Sequence, residues 1–596
     1  MAAATELVTQ ALEAAPQANA NSRPIGQKES ALIADLMREF SQMIVWRNTT
    51  AQHCEEIAEI ILPTSRNTFF YGNFNWPGMK KQQQQIDATG GLALHRFCAI
   101  CDSLITPRDM YWHGLANDAV KGDRETTLWF ENARKVLFQM RYASHANFGG
   151  QNYNNWQSLG AFGNATMYID LFDARGFGGM PGFRYKAIPF GETYYGENHQ
   201  GKVDRMYRWF RRTAYQAVQQ WGLDMLPANL VAPLQQDSLW PYNFLHVVKP
   251  NENFDPRRMD VRGFPWISYY VSLEGRCLMQ PPGGYRVFPF AVSRYDQTPN
   301  ECYGRGPAHI VLASLKTLNA QKVTFLKQGH RASDPVLLTP DDGLVELNTR
   351  PGAQNKGGVN AEGKPLVHTL PTGDIKINME MMQEERSIID DVFLVSLFKV
   401  LSENPNMTAT QVVELVNEKG MLVAPTLARQ FAEYVGGMVE REMDLAVHAG
   451  LLPPMPNALR MARGQYEVTN ETPLARAAKM SEAAGFNRWA ENLQKMAVET
   501  QDPSWMDPIN GDQAAVDLAD IYSVRPTWVA DPKSIMQKRQ MRAQAEQQKM
   551  QMQAAPGQAA IMNAQAKMAS VQPAPGGGGG SPAPAAPAPG PMVGGP

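Results

Sequence analysis

The chain has 596 residues, 44% of them apolar, and a formal net charge of −2. That length supplies core material for roughly two to four domains, and the near-neutral balance argues against an overall basic coat for nucleic acid. Five cysteines in so long a chain do not make a disulfide framework, so a reducing compartment is expected; no run is long and apolar enough for a membrane span and no basic-then-apolar leader is seen, so the expectation is a soluble protein.

Residues 1–28, rich in Ala, Gln, Asn and Ser, read as a disordered arm. Helical spacing then runs through Leu32, Ile33, Leu36, Met37, Phe40, Met43 and Ile44, resumes at Cys54–Leu62 and stops at Pro63. The next helical block carries His95, Cys98 and Cys101. A structural zinc site needs a second ligand pair and a redox pair needs a βαβ setting; neither is found, so these are read as buried helix cysteines.

Strand signals follow at Thr166–Phe172 and Phe183–Pro189. Gly191–Tyr195 and Val203–Phe210 flank the Glu197–Gly201 turn as a hairpin. Arg205, Arg208, Arg211 and Arg212 alternate with Tyr207, Trp209 and Phe210; the period favours the polar face of a strand over a nucleic-acid contact. Further strands are expected at Leu245–Val248, Trp266–Val271, Gly284–Val287 and Phe288–Val292. The last leads to the turn Tyr303, Gly304, Arg305, Gly306, Pro307 and a helix from Ala308 to Gly329, roughly 30 Å long. The two glycines are expected to supply positive φ.

Beyond it, Val336–Leu338 and Leu344–Leu347 read as strands beside the loop Arg350–Gly358, in which Arg350 and Lys356 are the candidates for sequence-independent phosphate contact, against the plain alternative of a solvated loop. Helices are expected at Ile377–Leu401, after the Thr408–Gln411 capping box, at Leu427–Leu452 and at 474–500. Asp390 and Asp391 read as a solvated or interface face. The Pro/Ala/Gly-rich end cannot bury enough apolar surface to order itself.

Four stretches carry a family likeness. Pro289, Phe290, Val292, Arg294, Tyr295, the Tyr303–Pro307 turn, Leu315, Leu318 and Asn319 resemble the central signature of podovirus-type bacteriophage portal proteins, the head-to-tail connectors. The Glu56–Pro63 cadence, the Gly191–Gln216 block and the Met407–Pro456 block resemble that family in the same order, so the likeness spans most of residues 40–460. It implies an α+β, mainly helical, portal-type fold with long stem helices, a β-rich wing and a small β clip insertion. The expected division is a disordered arm (1–28), wing (29–203), first stem-side helical region (204–244), clip-like β-module (245–300), stem helix (301–329), strands with the channel-loop candidate (330–375), wing helices (376–470), crown-like helices (471–535) and a disordered tail (536–596).

The resemblance further implies a closed ring of twelve copies at one capsid vertex. Double-stranded DNA enters through it during packaging, driven by a separate terminase motor, and leaves at ejection; capsid, scaffolding and tail adaptor proteins are the other partners. No cofactor, metal or membrane is expected. The chain has no GxxxxGK[ST], HExxH or GxSxG motif, and Gly304-Arg305-Gly306 lacks the third glycine and acidic partner of a dinucleotide site. No enzymatic activity is therefore expected. The rival readings are another virion structural or tail adaptor protein, and a metal-dependent nucleic-acid-processing enzyme using Asp341, Asp342, Asp390 and Asp391.

Overall fold

A computed structural model describes residues 27–62, 69, 85–120, 123–172, 182–222, 225–226, 241–339, 347–371, 375–395, 425–426, 428–522, 524, 528–530 and 532–569. The arm up to residue 26, the capping-box helix after Thr408, most of the Leu344–Leu347 strand, Asp341, Asp342 and the Gly576–Pro596 segment lie outside these residues. The chain divides into two units, 1–526 and 527–596.

The first unit is α+β and mainly helical. Helix α1 (Gln27–Ile61) joins the two expected helical stretches into one rod about 50 Å long. Its apolar positions serve two cores. Ile33, Leu36, Met37, Phe40 and Met43 pack on a sheet through Tyr194, Tyr207, Trp209, Leu245 and Val247, whereas Cys54, Ile57, Ala58 and Ile61 enter the main helical core. Phe40 alone meets the rings of Tyr194, Tyr207 and Trp209.

Helix α2 (Thr89–Ile105), strand β1 (His113–Ala116), and helices α3 (Arg124–Arg141) and α4 (Phe148–Phe162) follow. Asp123 caps α3 by accepting from the Thr126 N–H. Cys98 and Cys101 are buried on α2 in the main core. Burial holds both thiols well above their ordinary pKa, and all five cysteines are unbridged.

Strand β2 (Asn164–Leu171) pairs antiparallel with β3 (Phe183–Ile188). Strand β4 (Thr193–Glu197) opens the expected hairpin, which turns through Gly201 at φ +76. The expected return strand, Val203–Phe210, is β5 (Val203–Thr213), and of the region from 204 expected to be helical only α5 (Ala214–Trp221) is helix among the described residues. Met206 to Phe210 are buried in succession because both faces of β5 are covered, Tyr207 and Trp209 beneath α1 and Phe210 in a cluster with Trp221 and Phe244. Two-sided burial hides the alternation a half-exposed strand shows.

Strands β6 (Pro241–Pro250), β7 (Trp266–Ser272), β8 (Cys277–Leu278) and β9 (Gly283–Tyr285) complete a six-stranded sheet with β4 and β5. Strand β10 (Phe290–Arg294) instead pairs with β2, Phe290 opposite Tyr168 and Arg294 opposite Asn164. Residues 245–300, expected as one inserted module, thus contribute to both sheets. β10 begins two residues later than expected because Pro289 has no N–H to donate, although its carbonyl still accepts from Ile169.

After the signature turn come a single helical turn, α6 (Pro307–Ile310), and α7 (Leu312–Ser333). The helix does not end at Gly329, around which there is open space; it continues to Ser333. A two-residue ladder of β11 (Leu337–Leu338) with β12 (His368–Thr369) brackets the following loop, and α8 (Ile375–Val392) packs back on α7. Leu394 at φ +63 marks its end. A π-turn at Phe431–Val435 runs into α9 (Gly436–His448), closed at Gly450 (φ +65) as the sequence suggests. Strand β13 (Glu467–Asn470) pairs with β1, and α10 (Pro473–Thr500) and α11 (Gly511–Ile521) follow.

The second unit contains α12 (Pro532–Ala569), where a disordered tail was expected from 536. Its Gln, Ala, Met and Lys content suits a helix without supplying an apolar face.

Candidate functional site

The turn Tyr303–Pro307 sits where β2, β10 and the end of α4 converge. Its glycines do not serve positive φ. Gly306 has φ −96, and a Cβ on it would lie 2.7 Å from the Gly163 nitrogen and 2.8 Å from the Leu159 carbonyl. A Cβ on Gly304 would lie 2.8 Å from the Gly163 carbonyl oxygen and 3.0 Å from that of Asp296. Close approach of backbone to backbone is what demands glycine here. Gly163, by contrast, does adopt φ +68 at the end of α4.

Asn164 completes the joint. Its Oδ1 accepts from the Gly304 N–H at 2.8 Å, and its Nδ2 donates to the carbonyls of Gly304 and Phe162, both at 2.8 Å. The Tyr195 hydroxyl donates to the same Oδ1 at 2.5 Å. Tyr303 is buried against Phe190 and Tyr195. Arg305 exchanges backbone hydrogen bonds with Asp296, while its exposed side chain pairs with Glu301.

Pro307 takes the first helical position, where a missing N–H costs nothing. His309 Nδ1 accepts from the Gly306 N–H at 3.1 Å, which requires that nitrogen to be unprotonated. Burial, with His53 and Arg305 nearby, lowers its pKa to about 4.

Arg294, at the end of β10, ties distant segments together. Its Nη2 meets Glu433 Oε1 at 2.9 Å, its N–H donates to Glu433 Oε2, and its guanidinium also reaches Glu197 and the carbonyls of Gly201 and Cys302. Gln430 donates to the Arg294 carbonyl at 2.6 Å. Burial opposes the charge, but the Glu433 and Glu197 carboxylates outweigh it and hold the guanidinium pKa above its ordinary value. A second buried pair, Arg141 with Glu442, is joined by the Tyr185 hydroxyl at 2.6 Å and by His113 at 2.9 Å.

From the turn, α7 leaves the core. Only Leu315 and Leu318 of its twenty-two residues are buried, and Asn319 anchors it by accepting from Ile86 and Asp87. Asn378 of α8 hydrogen-bonds Gln328 of α7. Arg350 and Lys356 lie on the exposed loop beyond, which Asn355 folds by exchanging hydrogen bonds with Asn348. They are not brought near the turn.

Of the four arginines on β5, Arg205 pairs with Glu39, Arg208 with Glu192, Arg211 donates to Asn243 and Arg212 lies over Phe210 and Trp221. Asp390 faces Arg96 at 3.8 Å. Among the described residues no three His, Cys, Asp or Glu side chains are grouped to hold a metal ion, and no helix is long and apolar enough to cross a membrane. Asn164, Glu433 and His309 were not foreseen as site residues; the available signal was a polar residue set at the edge of an apolar run.

The charged groups at this joint hold one another and the backbone, and the long helix α7 leaves from it. The chain belongs to the family of bacteriophage head to tail connecting proteins, whose model matches residues 34–529. It is 25% identical over 555 residues to the probable portal protein of Bordetella phage BPP-1, covering 90% of this chain and 94% of that one. To the portal protein of Salmonella phage epsilon15 it is 23% identical over 541 residues, covering 89% and 94%.

Proposed function

We propose that this chain is a portal subunit: copies join head-to-tail into a closed ring of twelve at one capsid vertex, through which double-stranded DNA passes at packaging and ejection. The observation that carries the reading is the bare outer face of the α7–α8 pair. On α8, Ile377, Met381 and Ile388 are 57%, 47% and 42% exposed and share one stripe. An apolar stripe of this kind on a helix already packed on the adjacent face, through Met382 and Ile389, calls for a neighbour. A heterologous contact that closes by rotation leaves a central hole.

The α7–α8 pair is the natural stem, and the segment between its two helices suits the clip role better than 245–300, which is built into the sheets. Arg350 and Lys356 on that segment are the proposed phosphate contacts. The terminase motor, capsid and scaffolding proteins and tail adaptors are the proposed partners, met in the host cytoplasm during assembly and in the virion afterwards.

The test is native mass measurement with negative-stain imaging of the purified chain, alongside the Met381→Glu, Ile388→Glu double variant. Annular particles from the parent chain and folded monomers from the variant are expected. A parent that stays monomeric at high concentration, or a variant that still closes rings, overturns the reading.

A further inference from the structure

Away from the joint, a cavity of about 840 Å³ opens between one face of α3, the loop Arg108–Tyr111 and the start of α10. Its size lies within the range of pockets that enclose a compact ligand, about 300–1,000 Å³. Its lining is at odds with the charge of the whole chain. Arg108, Arg134, Lys135, Arg476 and Lys479 face it against only Asp109, Glu131 and Glu471, in a protein of net charge −2.

The cations are also under-supplied with acceptors. One carboxylate, Glu471, serves two guanidiniums: Arg134 Nη1 at 2.9 Å and Arg476 Nη2 at 3.3 Å. Arg476 finds a further acceptor in the Tyr111 carbonyl at 2.8 Å, and Arg134 lies over the Tyr111 ring. The Nε of both arginines remains buried without an acceptor, and Glu131 Oε2 is buried without a donor. Lys135 and Lys479 have no hydrogen bond or ion pair among the described residues. Phe130 and Phe138 add apolar wall.

We propose that this cavity is a docking site for a short acidic peptide segment of a partner protein, carrying an apolar side chain among its carboxylates. Surplus guanidinium and ammonium donors take the carboxylates, and Glu131 accepts from a peptide N–H. A phosphate chain offers no donor of that kind, which favours a peptide over a nucleic acid. The aromatic wall receives the apolar side chain. This site does not depend on ring closure.

The test uses the purified full chain and a fluorescein-labelled hexapeptide alternating glutamate with leucine and phenylalanine, read by fluorescence anisotropy. Saturable, salt-sensitive binding is expected, with none by the same peptide carrying glutamine for glutamate. The Lys135→Glu, Lys479→Glu double variant reverses two charges that hold nothing else in place; it should keep the parent's thermal unfolding curve and lose affinity about tenfold. Absence of binding, equal binding by the variant, or equal binding of a single-stranded oligonucleotide of matched charge overturns the proposal.

Discussion

The side-chain amide of Asn164 holds the backbone of Gly304 by both of its polar groups, accepting from its N–H and donating to its carbonyl at 2.8 Å each. A side chain thus does what a neighbouring strand otherwise would, in a place with no room for one. Asn164→Ala leaves both groups of Gly304 buried without partners. A loss of about 3 kcal/mol in urea unfolding is expected, and Asn164→Asp restores the acceptor but not the donor, leaving most of that loss.

Substituting the glycines separates close approach from conformation. Gly304→Ala and Gly306→Ala press a methyl group onto backbone atoms that cannot rotate away, and each should lower stability by about 2–3 kcal/mol. Gly329→Ala, in open space within α7, should raise it by about 1 kcal/mol. Chemical denaturation of the three variants checks the order.

His309 makes the joint acid-sensitive. Its pKa falls from the ordinary histidine value to about 4 on folding, so the unfolded chain binds the proton first as pH drops. Its stabilising contribution is therefore complete above about pH 6.5 and is lost as pH falls towards 4. His309→Asn, which keeps an acceptor for the Gly306 N–H but does not titrate, should flatten the unfolding midpoint between pH 7 and pH 5. An unchanged pH profile in this variant contradicts the role.

Charge reversal on the loop tests the phosphate contacts apart from assembly. Arg350→Glu with Lys356→Glu should leave the oligomeric state of the parent intact, since both side chains are exposed. Affinity for a short duplex should fall about tenfold at low salt, with a shallower salt dependence. Titrating labelled duplex at several salt concentrations reads both.

How far the residues foretold this fold depended on whether a contact was local. The α1 positions Leu36, Met37, Phe40 and Met43, the Gly201 hairpin and the close of α9 at Gly450 obey short-range rules, and each was legible. β5 was legible as a strand but its burial on both faces was not, and α7 runs on past Gly329 because open space where that glycine's Cβ would stand lets the helix carry it. The joint was legible only as a pattern of residues. Nothing local to Arg294 announces Glu433, 139 residues away, nor does Gly304 announce Asn164.

One helix, α1, is rooted at one end beneath the six-stranded sheet and at the other among α2, α4 and the main core. A continuous helix held at both ends cannot tilt at one end alone. Any push on the sheet is therefore delivered, lever-fashion, to the helices beside the Gly304 joint, from which α7 leaves the core.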